Sequence, residues 1–410
     1  MRALFLLLIL SLSTLNISSS AQETTETLTL DKALEIALEN NPTLEASRAS
    51  VDIMKARVQG ARSDLFPQIK SRFIYPFVGT ESGVSLDQLI WDFGYTSNII
   101  KATKAQVKSS EYDKVANRED VILDTKIAYY TVLAQKRIVE ASEKKFIENE
   151  RRLEQAEGFF KVGRISKIEI TKAKVNLGNA KLNLVTAKNN LERAKLQLST
   201  AMGIIGNFNY ELEDMLEYKM IDVNLEQAIG KAFELRPELD SLEAKKVAMK
   251  ANLKASKQDY YPTIFGRTAY RIKGEGATQP GFIAGIGVQF PIFEGFSTIS
   301  EINEAKADLR RSQAEIESMK GQILSEVKQS YLNLKLSEES IKVTETSKTS
   351  SEENLELARE RYRLGRASSI ELAEAEALYA STNADYIQVI YNYKIAVAQL
   401  ERAIGEKLEE

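Results

Sequence analysis

The sequence predicts a mainly α-helical chain built twice on one plan, with a long helical hairpin and a pair of β-strands in each half. Three observations carry this prediction. The stretch Tyr362-Arg363-Leu364-Gly365-Arg366-Ala367-Ser368-Ser369-Ile370-Glu371 is punctuated as the bend of a hairpin. Gly365 can take the left-handed conformation that ends one helix, and Ser368 with Glu371 forms a capping box that opens the next. The stretch Val162-Gly163-Arg164-Ile165-Ser166-Lys167-Ile168-Glu169 carries the same signals in the first half. Finally, proline-free, helix-favouring segments from Tyr95 to about Phe160 and from Ser297 to about Arg363 lead into the two bends.

At 1.5 Å per residue each of these segments reaches roughly 100 Å, far beyond a normal globular helix. Ile316, Met319, Ile323, Val327, Tyr331 and Leu334 step by three or four and mark one packed stripe. Val115, Ile122, Tyr129 and Val132 mark the matching stripe of the first half, so both segments read as coiled-coil-like rods. The return helices, Ser166 to Met202 and Ser368 to Ile404, are about half as long as the rods. The helices Thr43 to Asp64 and Glu238 to Asp259 supply about two-thirds of the deficit if stacked end to end with them.

From the N-terminus, Met1-Arg2 and an apolar run from Ala3 to Leu10 read as a secretory signal peptide over residues 1–21, cleaved after Ala21. No later stretch approaches the roughly twenty apolar residues of a spanning helix. The first repeat then occupies 22–203, a connection without strong periodicity 204–222, and the second repeat 223–410. Leu30-Asp31-Lys32-Ala33-Leu34 opens a short helix that stops before Pro42, and Leu225-Glu226-Gln227-Ala228-Ile229 does the same before Pro237. Each proline suits the first turn of the helix that follows, and punctuation at matching offsets is the signature of an internal repeat.

Strands are expected in hairpins at 67–92 and 262–293. Ile69, Ser71, Phe73, Tyr75 and Phe77 fall on one face of a period-two pattern, with Gln68, Lys70 and Arg72 on the other. Val84 to Ile90 follows after a turn. In the second half Thr263 to Arg271 pairs with Phe282 to Phe293, where Phe282, Ala284, Ile286, Val288 and Phe290 alternate with Gly285, Gly287 and Gln289.

Composition excludes several functions. With 55 Lys and Arg against 58 Asp and Glu, nothing points to nucleic acid. Histidine and cysteine are both absent, which removes thiol and imidazole nucleophiles, the commonest general base and the usual zinc or copper ligands. No catalytic residue, metal site or cofactor is assigned, and the chain is not expected to be an enzyme. The strands are long enough to cross a membrane when tilted, but four cannot close a barrel, and open edges are intolerable in lipid. Two chains would give eight strands with a filled interior, whereas three give twelve and a lumen, so a homotrimer is expected.

The signal peptide, the duplicated order, the helix starts Asn40-Asn41-Pro42 and Leu235-Arg236-Pro237, the stretch from Pro291 to Gly295 and Leu364-Gly365-Arg366-Ala367-Ser368 together resemble the outer membrane efflux (TolC-like) family. The resemblance implies a trimeric channel-tunnel, in which a twelve-stranded barrel in the outer membrane continues into an α-barrel across the periplasm. Such proteins are passive exit ducts of tripartite efflux pumps or type I secretion systems. They dock by their helical tips to a periplasmic adaptor driven by an inner-membrane transporter. By this resemblance Glu169, Glu371 and Glu374 face the narrow pore entrance, although Glu169 and Glu371 also complete capping boxes. Tyr362 matches a residue that helps close the entrance. Val162, Gly163, Arg164, Leu364, Gly365 and Arg366 would meet the adaptor, and Phe73, Tyr75, Phe77, Phe282 and Phe290 read as facing outer-membrane lipid. Two departures stand out: Trp91-Asp92-Phe93-Gly94 differs from its second-repeat counterpart, and the chain ends soon after Gly405, which implies a small equatorial domain. The alternative is a secreted periplasmic coiled-coil structural or adaptor protein. It is disfavoured because the strands occur only as hairpins flanking the rods.

Overall fold

The computed structural model describes residues 26–73, 83–205, 210–271 and 281–408. The signal peptide, Tyr75 and Phe77 lie outside them. The first half comprises β1 (Glu26–Leu28), α1 (Leu30–Asn40), α2 (Pro42–Ser63), β2 (Gln68–Arg72), β3 (Gly83–Trp91), α3 (Tyr95–Lys161) and α4 (Lys167–Ala201). The second comprises β4 (Tyr210–Leu212), α5 (Leu225–Leu235), α6 (Pro237–Gln258), β5 (Thr263–Arg271), β6 (Gly281–Gln289), α7 (Ser297–Arg363) and α8 (Ser369–Ile404). The rods α3 and α7 are each 67 residues long, and α4 and α8 return along them.

The expected end-to-end stacking has a specific joint. At the end of α4, Gly203 takes φ +71° and Ile204 N–H closes back on the Ser199 carbonyl at 2.9 Å, which terminates the helix. The start of α2 sits directly against it. Asn41 accepts from Thr43 N–H at 2.8 Å to cap α2, and its amide donates to the Ala201 carbonyl at 2.8 Å. One side chain thus satisfies the end of α4 and the beginning of α2, and both helices lie along α3. In the second repeat Gly405 ends α8 at φ +83°, but Arg236 stands where Asn41 stood. Its guanidinium donates to the Ala403 carbonyl at 3.2 Å and forks onto Glu238, while Glu326 of α7 pairs with it at 2.9 Å. Arg402 joins Glu238 to Asp120 of α3. The same joint is therefore made by a neutral cap in one half and by a buried ion cluster in the other.

The large side chains gather at this level. Tyr129, Leu198, Met202 and Tyr391 are fully buried in one cluster, and Ile323, Val327, Leu334, Tyr393, Leu400 and Ile404 in another. Tyr129 also binds backbone: its hydroxyl is shared between the carbonyls of Leu28 and Glu213 at 2.9 and 3.0 Å. Burial pushes this hydroxyl far above its ordinary pKa. These contacts fix a parallel pair, β1 with β4, that the sequence pattern missed; β4 falls in the connection read as lacking periodicity, and three residues are too few to show any. Nearer the strands, α3 and α6 approach through Ala102, Ala105, Ala248 and Ala251, where small side chains allow close packing. The stripe through Ile316, Ile323, Val327 and Leu334 is buried as expected. Val115 is not: it is exposed, and Ala116 and Val121 turn inward instead.

The remaining strands form one antiparallel sheet in the order β2-β3-β5-β6. β6 stops at Gln289 rather than Phe293, because Pro291 has no N–H to continue the ladder.

Candidate functional site

The two tips are built alike. Gly163 and Gly365 take φ +73° and +70°, and Arg164 and Arg366 close back five residues onto the carbonyls of Phe159 and Arg361 at 2.9 and 2.8 Å. This leaves Val162, Leu364 and both arginines exposed at the end of the rods. The expected capping boxes are only partly formed. Ser368 accepts from Glu371 N–H at 3.1 Å, but the Glu371 carboxylate turns to Arg361 at 2.8 Å instead of reaching back. Ser166 makes no side-chain cap bond; Glu169 N–H bonds the Ser166 carbonyl at 3.1 Å and its carboxylate pairs with Lys172 at 3.0 Å. The box is replaced because a lysine one turn along offers the carboxylate a charged partner.

Glu374 lies on α8 and its carboxylate is 3.9 Å from Arg152 of α3, so this pair crosses between the two hairpins. The three acidic residues singled out at the tip therefore each have a cationic neighbour, two on their own hairpin and one across the gap. A cleft of about 1020 Å³ runs from this crossing toward the middle of the rods, with Tyr362, Arg151, Arg152, Glu148 and Glu376 among its walls. Burial pushes the Glu148 carboxyl above its ordinary pKa, against the opposing charge and hydrogen bond of Arg152 at 2.6 Å. Arg152 was not singled out from sequence; a cation in a run of charged rod residues looks like any solvated one until the register of α8 against α3 is known.

At the other end the sheet has two unlike faces. The register aligns Ser71, Val84, Tyr270 and Phe282 on one, and Ile69, Leu86, Thr268 and Ala284 one row along on the same face. Ile286 and Val288 continue it, and it is bare: Phe282 is 70% exposed and Ile286 76%. Phe73 and Phe290, just beyond strand ends, are exposed as well. Where the strands join the rods there is a group of aromatics. Trp91 packs edge-on to Phe93, Phe93 stacks on Tyr261 at 5.2 Å, and Phe293 meets Phe296 at 5.6 Å. Phe93 and Phe296 both hold positive φ, 52° and 70°, at the turn into each rod. Among the described residues no group of acidic, His or Cys side chains could hold a metal ion, and no helix is long and apolar enough to cross a membrane.

Residues 79–204 and 228–406 match the outer membrane efflux protein family. The chain belongs to that family. As an outer membrane efflux protein it is located in the outer membrane and extends into the periplasm. It is 25% identical over 309 residues to the outer membrane efflux protein BepC of Brucella suis biovar 1 (strain 1330), a match spanning 70% of this chain and 65% of that protein. The fold is similar to the CmeC outer membrane channel of Campylobacter jejuni, with a TM-score of 0.78 at 19% identity, covering 93% of this chain and 86% of the other. It is also similar to the open state of the MtrE outer membrane channel of Neisseria gonorrhoeae, with a TM-score of 0.72 at 17% identity, covering 93% and 89%.

Proposed function

We propose that three copies of this efflux protein assemble into a twelve-stranded barrel above a helical tunnel, the exit duct of a tripartite pump or type I secretion system. The observation that carries this reading is the sheet. It has a bare apolar face and, among the described residues, two outer strands, β2 and β6, that pair on one side only. Lipid would solvate that face but not those edges, and β6 of one copy meeting β2 of the next satisfies both. Phe73, Phe282 and Phe290 face lipid in this assembly, and the aromatics around Trp91 and Phe293 sit at the periplasmic boundary. The tips, Val162-Gly163-Arg164 and Leu364-Gly365-Arg366, meet a periplasmic adaptor coupled to an inner-membrane transporter. Fractionation tests the membrane reading: a heat-sensitive trimer in the outer membrane is expected, and recovery in the soluble periplasmic fraction would favour the secreted coiled-coil alternative. Gly365→Pro and Arg366→Glu should keep the trimer but lose adaptor crosslinking; unchanged crosslinking and transport in both would remove the tip from the interface.

The tip carboxylates give a second expected result. With Glu169, Glu371 and Glu374 repeated around one axis, the passage should favour cations and be blocked by multivalent ones from the periplasmic side. Glu374→Ala leaves Arg152 without its acidic neighbour across the gap, so selectivity should move toward anions. Planar-bilayer reversal potentials check this; identical values in wild type and variant would place Glu374 on an outer face.

A further inference from the structure

The rods and their return helices lie side by side in one layer. Along the tip half α3 touches α4 and α8, and α8 touches α7, which gives the order α4-α3-α8-α7. Nearer the sheet the order is α2-α3-α6-α7, and it repeats the strand order β2-β3-β5-β6, because each of these helices runs directly into or out of the strand in the matching place. The layer therefore has two lateral edges, α2 and α4 on the β2 side and α7 on the β6 side. Both edges carry an apolar row. On α4 it is Ile168, Val175, Leu182 and Leu196, at steps of seven with Asn189 in the vacant step, and these four side chains are 57–65% exposed. On α7 it is Leu336, Val343 and Leu357, with Leu364 just past the helix end and Ser350 in the vacant step, and the four aliphatics are 60–67% exposed. Among the described residues of the inner helices α3 and α8, no large apolar side chain is more than half exposed. Each row stands two residues after one that is buried against the hairpin partner. Ala180, Ala187 and Ala194 precede Leu182, Asn189 and Leu196, and Leu334, Ile341 and Leu355 precede Leu336, Val343 and Leu357. Two residues are about 200° of rotation, so neither row can turn back onto its own hairpin. Because α4 and α7 run in opposite directions along opposite edges, the same offset turns both rows toward the same surface of the layer.

We infer that α4 of one copy and α7 of the next close an antiparallel zipper along the tip half of the duct, a contact that exists only between copies. The inference rests on the trimer proposed above, in which β6 meeting β2 of the next copy brings α7 beside that neighbour's α4. The two rows fit each other. Counted from the tip glycines Gly163 and Gly365, Val175 falls between Leu357 and Ser350, and Leu182 between Ser350 and Val343, so the side chains interdigitate instead of colliding. The charges agree with this register. Lys167, Lys174 and Lys188 each precede a residue of the α4 row, and by the same count they reach the levels of Glu360, Glu353 and Glu339 beside the α7 row. The ion pairs that Lys188, Glu339 and Glu360 make within the chain are exposed, so exchanging them for pairs across copies costs little. A helix of another protein would match at most one edge, whereas a second copy presents the lysine-flanked row to the glutamate-flanked one. Closed in this way, the seam excludes water between copies, and solutes in the tip half pass along the axis and not through the wall.

The chain has no cysteine, so an introduced pair reports alone. Leu182→Cys with Val343→Cys, in the full-length protein purified in detergent without other proteins, should be joined by a short bismaleimide into covalent dimers and trimers that survive boiling. Within one chain the two positions are separated by the widths of α3 and α8, so no internal crosslink competes. Leu332 lies two heptads, or about 21 Å, from the level of Leu182, and Leu182→Cys with Leu332→Cys should stay uncrosslinked. Leu182→Ala with Leu336→Ala should lower the temperature at which the trimer dissociates by roughly 5 °C or more, with the helical signal of the chain unchanged. A trimeric cysteine pair that gives no crosslink at 182 and 343, or an alanine variant that dissociates like wild type, would overturn the inference and leave the duct reading standing. Absence of trimers in wild type would overturn the duct reading and this inference together. Crosslinks between two copies of Leu182→Cys alone would show α4 meeting α4 and overturn the pairing. In whole cells, crosslinks to a different protein in place of those between copies would assign the rows to an adaptor and overturn it as well.

Discussion

Gly203→Ala should destabilise the protein by about 3 kcal/mol, from left-handed strain of 1–2 kcal/mol and overpacking of a similar size. The residue holds φ +71°, and a Cβ there would lie 2.5 Å from the Asn40 carbonyl oxygen and 2.9 Å from the Asn41 Cα. Both are backbone atoms, so the start of α2 must move and the shared Asn41 cap is disturbed. Gly365 holds nearly the same angle, φ +70°, but nothing lies within 4 Å of its missing Cβ. Gly365→Ala should therefore lose only the conformational part, about 1 kcal/mol. Gly405→Ala should fall between, with its nearest contact at 3.2 Å to the Leu235 carbonyl. Thermal unfolding of the detergent-solubilised variants, followed by the helical signal, ranks the three. Equal losses at positions 203 and 365 would show that the joint between α4 and α2 yields freely and is not a fixed contact.

Arg236→Ala should be as damaging, with an expected loss of about 3–5 kcal/mol for a buried pair deprived of one partner. Arg236 is 5% exposed, and its removal leaves Glu238 with Arg402 alone and the Ala403 carbonyl without its donor. Burial acts to raise the Glu238 pKa, but hydrogen bonds and charge from Arg236 and Arg402 outweigh it and hold the carboxyl at about 2, against an ordinary 4.5. A depressed folded-state pKa stabilises the fold at pH above the unfolded value, and that contribution is lost as pH falls from 4.5 through about 2. The acid unfolding midpoint of Arg236→Ala should accordingly lie higher than that of wild type. If the two acid transitions coincide, the cluster does not couple to folding.

The rods and bends were legible because proline is excluded from long helices and because glycine followed by serine marks one helix end and the next start. The faces of the strands were legible from alternation alone. What alternation cannot supply is the offset between strands, so residues such as Ile69 and Phe282 could be assigned to a face but not to a row. The joint of the second repeat was hidden for a different reason. Asn41 before a proline announces a cap, whereas Arg236 in the matching place reads as a surface charge until Glu238, itself held by Arg402, and Glu326 converge on it. The tip acids were singled out by the family resemblance, but their partners Arg152 and Arg361 depend on how the helices pair, which one-dimensional spacing does not fix. β1 and β4 stayed invisible because their pairing joins the start of the first repeat to the connection that follows it.

The equal length of α3 and α7 constrains how this sequence can evolve. Both rods start beside the same sheet and end in tips of the same construction, so a change of length in one would leave the two tips at different heights. A single inserted turn displaces a tip by about 5.4 Å, more than the reach of a contact between side chains. It also rotates every later residue away from its packed stripe unless the insertion follows the helical repeat. Compensation would have to come from the return helix of the same hairpin and from the other hairpin together. Insertions and deletions that survive in relatives should therefore occur as matched sets in all four helices, while isolated ones should be confined to the hairpin turns and the connection between the halves.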